Sequence, residues 1–290
     1  MTTPANYFLR LNDGRNLGYA EWGDRRGSPV FYFHGFPGSR LEARLADHAA
    51  ARHHIRLIGL DRPGYGISDS KTGRRMTDWA NDIAELADHL AIERFSVLGV
   101  SGGGPYAAAC AHELSDRLIS TGIACGLGPI RPPQLLAGMT PINRFGLLLI
   151  ERSPALAKHI IPPALLPLRY YPRLVLRIMA HSAHEPDKAT IMSLQIRQVL
   201  IASFIEALRL GAHGAISDVI LYSQDWGFSL SDIHTPVRLW HGEKDRIVPA
   251  AMGRYVARHI PDCQATFYAA EGHFSLVLNH FNDFLDLLTD

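Results

Sequence analysis

"LGVSGGGPYAAAC", residues 98–110, joins an apolar strand end to a helix start through one serine with glycine on both sides. In Gly99-Val100-Ser101-Gly102-Gly103 the spacing is G-x-S-x-G. Strand and helix backbones that meet at so sharp a bend leave no room for a Cβ beside the serine, and glycine meets that demand. The bend pushes the Ser101 hydroxyl outward. Pro105 suits the first turn of the following helix, where a missing N–H costs nothing. That helix turns its positive end toward any oxyanion formed near the hydroxyl. Alone, the motif is an ordinary glycine-rich turn; set between a strand and a helix, it marks an exposed nucleophile.

Strands and helices alternate on both sides of this bend. "NYFLRL" and "NLGYAEW" flank an Asp13-Gly14 turn and read as a hairpin. "PVFYFHG" (29–35), "IRLIGLD" (55–61) and "RFSVLGV" (94–100) are short apolar runs suited to strands covered on both faces. In "TDWANDIAELADHL", Trp79, Ile83, Leu86, Ala87 and Leu90 recur at helical spacing. Thr77 stands where an N-cap belongs, with Asp78, Asp82 and Glu85 for the wet side. "RLISTGIAC" supplies a sixth strand ending near Ala124.

From about Pro129 to Trp226 no strand pattern appears. The stretch is rich in Leu, Ile, Ala and Arg, and Pro132-Pro133, Pro141, Pro154, Pro162-Pro163, Pro167 and Pro172 should break it into short helices. Alternation then resumes with "PVRLWHG", "AAMGRYVARHI", "ATFYAA" and one closing helix, "FSLVLNHFNDFLDLL". The expectation is a mostly parallel, eight-stranded α/β sheet flanked by helices, with a helical insertion: residues 1–128 and 226–290 form the core and 129–225 the insertion.

Composition narrows the partners. With 290 residues, 47% of them hydrophobic, and a formal net charge of +1, the chain can bury a large core and carries no basic excess for nucleic acid. Cys110, Cys125 and Cys263 lie far apart without C-x-x-C spacing and read as small buried residues. "HELSD" at His112 has Asp116 where a zinc helix would place its second histidine, and no third ligand suggests itself. "DRPGYGISD" lacks the third glycine of a dinucleotide loop. No signal peptide and no run of about 18 apolar residues is present, which points to a cytoplasmic protein without a membrane span. The expected partner is a small-molecule substrate, with no cofactor and no metal; the sequence leaves the oligomeric state open.

Over essentially its whole length the chain resembles the α/β-hydrolase fold family. Three further stretches carry the likeness: "HGFPGS" (34–39), which is similar to the family's oxyanion loop; "DRPGYGISD" (61–69); and the pair "HGEKDRIVP" and "EGHFS" after the last two strands. The resemblance implies a nucleophile, acid and base in the order Ser101, Asp245, His273, with the backbone amides of Phe36 and Gly102 as the oxyanion hole. Glu243 lies in the same loop as Asp245 and reads as a solvated residue, and His34 as a structural hydrogen-bonding residue. "CGLGP", after the sixth strand, has no carboxylate to compete with Asp245. The family's insertions form a cap over the site, and the apolar one here implies a moderately sized, largely apolar substrate.

Chemistry supports the same roles. A serine hydroxyl needs a base to take its proton, an imidazole titrates in the right range, and a carboxylate fixes its tautomer and stabilises the imidazolium. Serine rather than aspartate at position 101 argues against epoxide opening and dehalogenation, because a serine ether could not be hydrolysed onward. Acyl chemistry remains. Ester cleavage asks least of the site; the alternatives are an aminopeptidase-like amidase, a lactonase and a carbon–carbon bond hydrolase. An amidase of that kind needs acids for a substrate ammonium, for which Glu151, Glu185, Glu206 and Asp218 are candidates. Outside enzymes, a small-molecule receptor on the same fold is the alternative.

Overall fold

The computed structural model describes residues 6–131 and 133–289; Pro132, one of the expected breakers, lies outside them. Eight strands form one sheet: β1 (Asn6–Arg10), β2 (Asn16–Gly23), β3 (Ser28–Phe33), β4 (Ile55–Leu60), β5 (Phe95–Val100), β6 (Leu118–Ala124), β7 (Val237–Gly242) and β8 (Cys263–Tyr268). Their spatial order is β1-β2-β4-β3-β5-β6-β7-β8. β1 and β2 pair antiparallel, as do β2 and β4, and every pairing from β4 through β3 to β8 is parallel.

Helices cover both faces, which explains why the central strands are apolar without alternation. Phe31, Phe33 and Val97 face one cluster, with Trp79 and Ile83 of α2 (Asp78–His89) and Tyr106 of α3 (Gly104–Glu113). Val30, Tyr32, Leu98 and Val100, one residue out of phase, face the other. That cluster holds Ala49 and Ala50 of α1 (Asp47–Arg52) and the Phe284, Leu285 and Leu288 side chains of the C-terminal helix. Each large side chain buried this way contributes about 1.5–3 kcal/mol.

Between β6 and β7 run α4 (Pro141–Arg152), α5 (Ala157–Tyr170), α6 (Pro172–Ser182), α7 (Glu185–Met192), α8 (Leu194–Ala207) and α9 (His213–Ser223). Pro141, Pro154 and Pro172 open helical turns, as expected, but Pro162, Pro163 and Pro167 lie inside α5. The carbonyls that lose their donors there belong to Lys158, His159 and Pro163, all exposed residues, so the helix continues on a side open to solvent. These helices share a core with the sheet's loops: Ile150, Ile161, Leu165 and Val219 pack on Tyr65 and Phe36.

Two local expectations change. Asp82 is buried rather than wet, because Arg15 reaches across to it at 2.6 Å. The closing helix is two, α11 (His273–Asn279) and α12 (Phe281–Thr289), with α10 (Ala250–His259) before β8. His280 breaks them at φ −119°, ψ 16°, and its ring meets Asp283 in the first turn of α12 at 2.8 Å. Thr77 holds the N-cap position of α2, yet its side chain caps nothing. No helix among the described residues is long and apolar enough to cross a membrane.

Candidate active site

Ser101 sits between β5 and α3 with φ +54°, a left-handed backbone rare outside glycine. The close approach that the motif predicts is present. A Cβ on Gly99 would lie 2.4 Å from the Gly103 carbonyl oxygen, and one on Gly103 would lie 2.2 Å from that of Phe33. The strained serine is held by its neighbours, its own carbonyl accepting from the Leu127 amide at 3.0 Å.

Two further loops at the same edge of the sheet bring their side chains to it. His273 follows β8 and points Nε2 at Ser101 Oγ, 3.0 Å away. Its Nδ1 lies 2.6 Å from Asp245 Oδ2, in the loop after β7. The other oxygen of Asp245 accepts from the Ile247 and Val248 amides, each at 2.8 Å. Ser101, Asp245 and His273 are thus one hydrogen-bonded chain, and all three are buried. Burial would push the imidazole's pKa down, but the Asp245 charge and hydrogen bond, aided by Asp187 and Glu42, raise it above 6.5. Burial likewise disfavours the Asp245 carboxylate; its interaction with His273 more than offsets this and holds its pKa low. Glu243, its neighbour, reaches Arg254 instead.

Gly102 and Phe36 approach closely: a Cβ built on Gly102 would fall 2.6 Å from the Tyr222 hydroxyl, 2.8 Å from Phe36 Cβ and 3.3 Å from Phe36 N. His34 is buried, with Nδ1 on the Gly35 carbonyl at 2.8 Å, and burial beside Arg62 keeps it neutral. His241 touches Asp245 from behind, at 3.6 Å, and with Cys125 forms a buried trio of possible metal ligands within 4.8 Å. In it His241 Nε2 meets the Val248 carbonyl and Asp245 meets His273, while His241 Nδ1 is buried without a hydrogen-bond partner.

The model of the alpha/beta hydrolase fold matches residues 28–137, which hold the Phe36 loop and the Ser101 bend. A hydrolase structure from Pseudomonas aeruginosa superposes with a TM-score of 0.73 at 18% identity, covering 98% of this chain and 97% of that one. The chain has the α/β-hydrolase fold. Among curated relatives, the non-heme chloroperoxidase of Streptomyces lividans is 33% identical over 124 residues, 42% of this chain and 45% of the relative. The chain therefore matches less than half the length of that protein. The bifunctional esterase/perhydrolase of Acinetobacter calcoaceticus is 22% identical over 254 residues, 83% of each chain.

The polar groups that sequence reading missed are those the inserted helices contribute. Asp218 of α9 is fully buried and accepts from Arg62 at 2.8 and 3.0 Å, from Tyr65 at 2.9 Å, and from Arg74 and Tyr106. Arg62 also donates to the His34 and Gly35 carbonyls, fixing the loop that carries Phe36. The Tyr222 hydroxyl is within reach of the Gly102 carbonyl, 2.8 Å, and of Asp218 Oδ2, 3.1 Å. Burial would raise the Asp218 pKa, yet the two guanidiniums bring it down to about 2. Asp218 is thus committed inside the fold. Glu151, Glu206 and Glu185 pair with Arg131, Arg40 and Lys188, so each acid considered for an ammonium already holds a cation. "DRPGYGISD" gives the only sequence signal for this network: its Arg62 and Tyr65 belong to it, while Asp61 pairs with Arg40 at 2.6 Å.

Proposed function

We propose that the protein is a serine carboxylesterase acting on a moderately sized, largely apolar ester. The observation that carries this reading is the unbroken chain Asp245–His273–Ser101, at 2.6 and 3.0 Å. His273 Nε2 takes the Ser101 proton as Oγ bonds to the ester carbonyl carbon, and the carbonyl electrons move to oxygen. The amides of Phe36 and Gly102 donate to that oxyanion, a contribution of about 3–4 kcal/mol for each well-placed donor. The imidazolium, stabilised by Asp245, returns the proton to the departing alkoxide, leaving an acyl group on Ser101. Water, deprotonated by the same imidazole, then releases the acid and restores the serine. The helices of residues 129–225 act as a cap, with Phe36 and the apolar side chains around Leu147 lining the approach.

Hydrogen peroxide in place of water would give a peracid from the same acyl-enzyme, which is the second activity in the name of the Acinetobacter relative. An aminopeptidase-like amidase has less support, because the acids it needs are paired. Lactonase and carbon–carbon bond hydrolase readings share the acyl steps and differ only in what the cap admits. The test is a fluorophosphonate probe together with p-nitrophenyl esters of graded chain length. We expect labelling on Ser101 and turnover that Ser101→Ala abolishes; full activity in Ser101→Ala would end the reading, and a folded wild type that binds but never turns over ligands would favour a receptor.

A further inference from the structure

The residue before His273 is a glycine, and this creates a local deficit. The first amides of a helix need acceptors, which an Asp, Ser or Thr at the cap position ordinarily provides. Gly272 occupies that position and has no side chain to offer. The acceptor arrives instead from 86 residues away: Asp187 Oδ2 takes the His273 amide at 2.9 Å, and Oδ1 takes those of Phe274 and Ser275, each at 2.9 Å. Asp187 lies on α7, inside the inserted helices, and is buried. Gly272 is also what admits it, since a Cβ there would fall 2.6 Å from the carboxylate.

We propose that Asp187 is a positioning residue for His273, so that the imidazole is aimed at Ser101 only while α7 is seated. The proposal deepens the esterase reading and rests on it for its kinetic consequence. Asp187 touches no reacting atom; it grips the backbone of the residue that does. Neighbouring contacts reinforce the seating: Phe274 packs in the cluster built by Leu176, Ile191 and Phe204 of the same helices, and Arg246, beside Asp245, meets His184 at 3.2 Å. The carboxylate therefore joins two jobs, holding the His273 backbone and setting a negative charge near its ring. The other titratable groups facing that ring are Asp245, Glu42 and His241.

The test compares wild type with Asp187→Asn, Asp187→Ala, Gly272→Ala and, as a control on the exposed face of α7, Glu185→Ala. Readouts are kcat and KM on p-nitrophenyl butyrate, thermal unfolding, amide exchange at residues 273–275, and the His273 imidazole titration by NMR. Asp187→Ala should lower kcat by about 10- to 100-fold with KM little changed, the scale expected of a misaimed base. Asp187→Asn should lose less, and should move the His273 midpoint to lower pH because a negative neighbour is gone. Gly272→Ala should follow Asp187→Asn in direction, and Glu185→Ala should match wild type. An Asp187→Ala protein that folds and keeps kcat within about twofold overturns the proposal. So does a His273 midpoint unmoved in Asp187→Asn, or an equal loss in Glu185→Ala. Should Asp187→Ala fail to fold, the Asn variant decides. Exchange and titration require no turnover, so an inactive wild type would end the esterase reading while these two measurements still judge Asp187.

Discussion

Replacing Asp218 with Asn tests how much the buried network contributes. Arg62 and Arg74 have side chains 0% and 2% exposed, and Asp218 is the carboxylate paired with both. The substitution keeps the shape but leaves two buried guanidiniums facing an amide. Breaking a buried pair costs about 3–5 kcal/mol, set against a whole-protein stability of about 5–15 kcal/mol. Proton linkage gives an independent figure. Asp218 falls from its ordinary 3.8 to about 2 in the fold, a difference on the order of 2 kcal/mol. Because the folded value is the lower one, this stability is present above about pH 4 and is lost as pH falls from there through about pH 2. Protonation costs less than mutation because the carboxyl group still accepts from its tyrosines. Urea unfolding of wild type and Asp218→Asn at pH 7 and pH 3 measures both quantities. We expect the variant to lose about 3 kcal/mol or more at pH 7 and the gap to narrow at pH 3. A loss below about 1 kcal/mol, or a gap constant with pH, would refute the reasoning.

Three further outcomes follow from the site. Activity needs a neutral imidazole, so kcat/KM should fall as pH drops through the His273 pKa; that pKa is raised, and the acid limb of the profile should lie above pH 6.5. Asp245→Asn should cut kcat by about 10³- to 10⁴-fold while calorimetry finds a folded protein, since the imidazole loses both its tautomer and its counter-charge. Gly103→Ala forces a Cβ to within 2.2 Å of the Phe33 carbonyl oxygen and should destabilise by about 2 kcal/mol or more in denaturant titration, with activity lost in parallel.

Sequence patterning exposes what is local. The Ser101 bend is legible because glycine on both flanks has one steric meaning, and the strands are legible because burial on both faces removes every polar position. Asp245, His273 and Phe36 rest mainly on likeness to a family; of fifteen histidines, His273 is set apart locally only by its place in a glycine-containing loop past a strand's C-terminal end. Asp82 was misread as solvated because Arg15 lies 67 residues away in sequence. Asp187 and Asp218 were opaque for the same reason, each being an ordinary helix acid until the fold supplies partners 86 to 156 residues distant. Pro162 and Pro163 misled differently: their effect depends on whether the orphaned carbonyls reach water, which is a property of the helix's setting.

The helices between β6 and β7 bury anions whose cations belong to the sheet's loops: Asp218 for Arg62 and Arg74, Glu206 for Arg40. A chimaera that exchanged this segment for another set of helices, chosen for its apolar lining alone, would strand the Arg62 and Arg74 guanidiniums in the interior and leave Arg40 with Asp61 alone. Transplanting specificity in this scaffold therefore means moving charges in matched sets, and donors should be picked by where their aspartates fall rather than by the shape of their pocket.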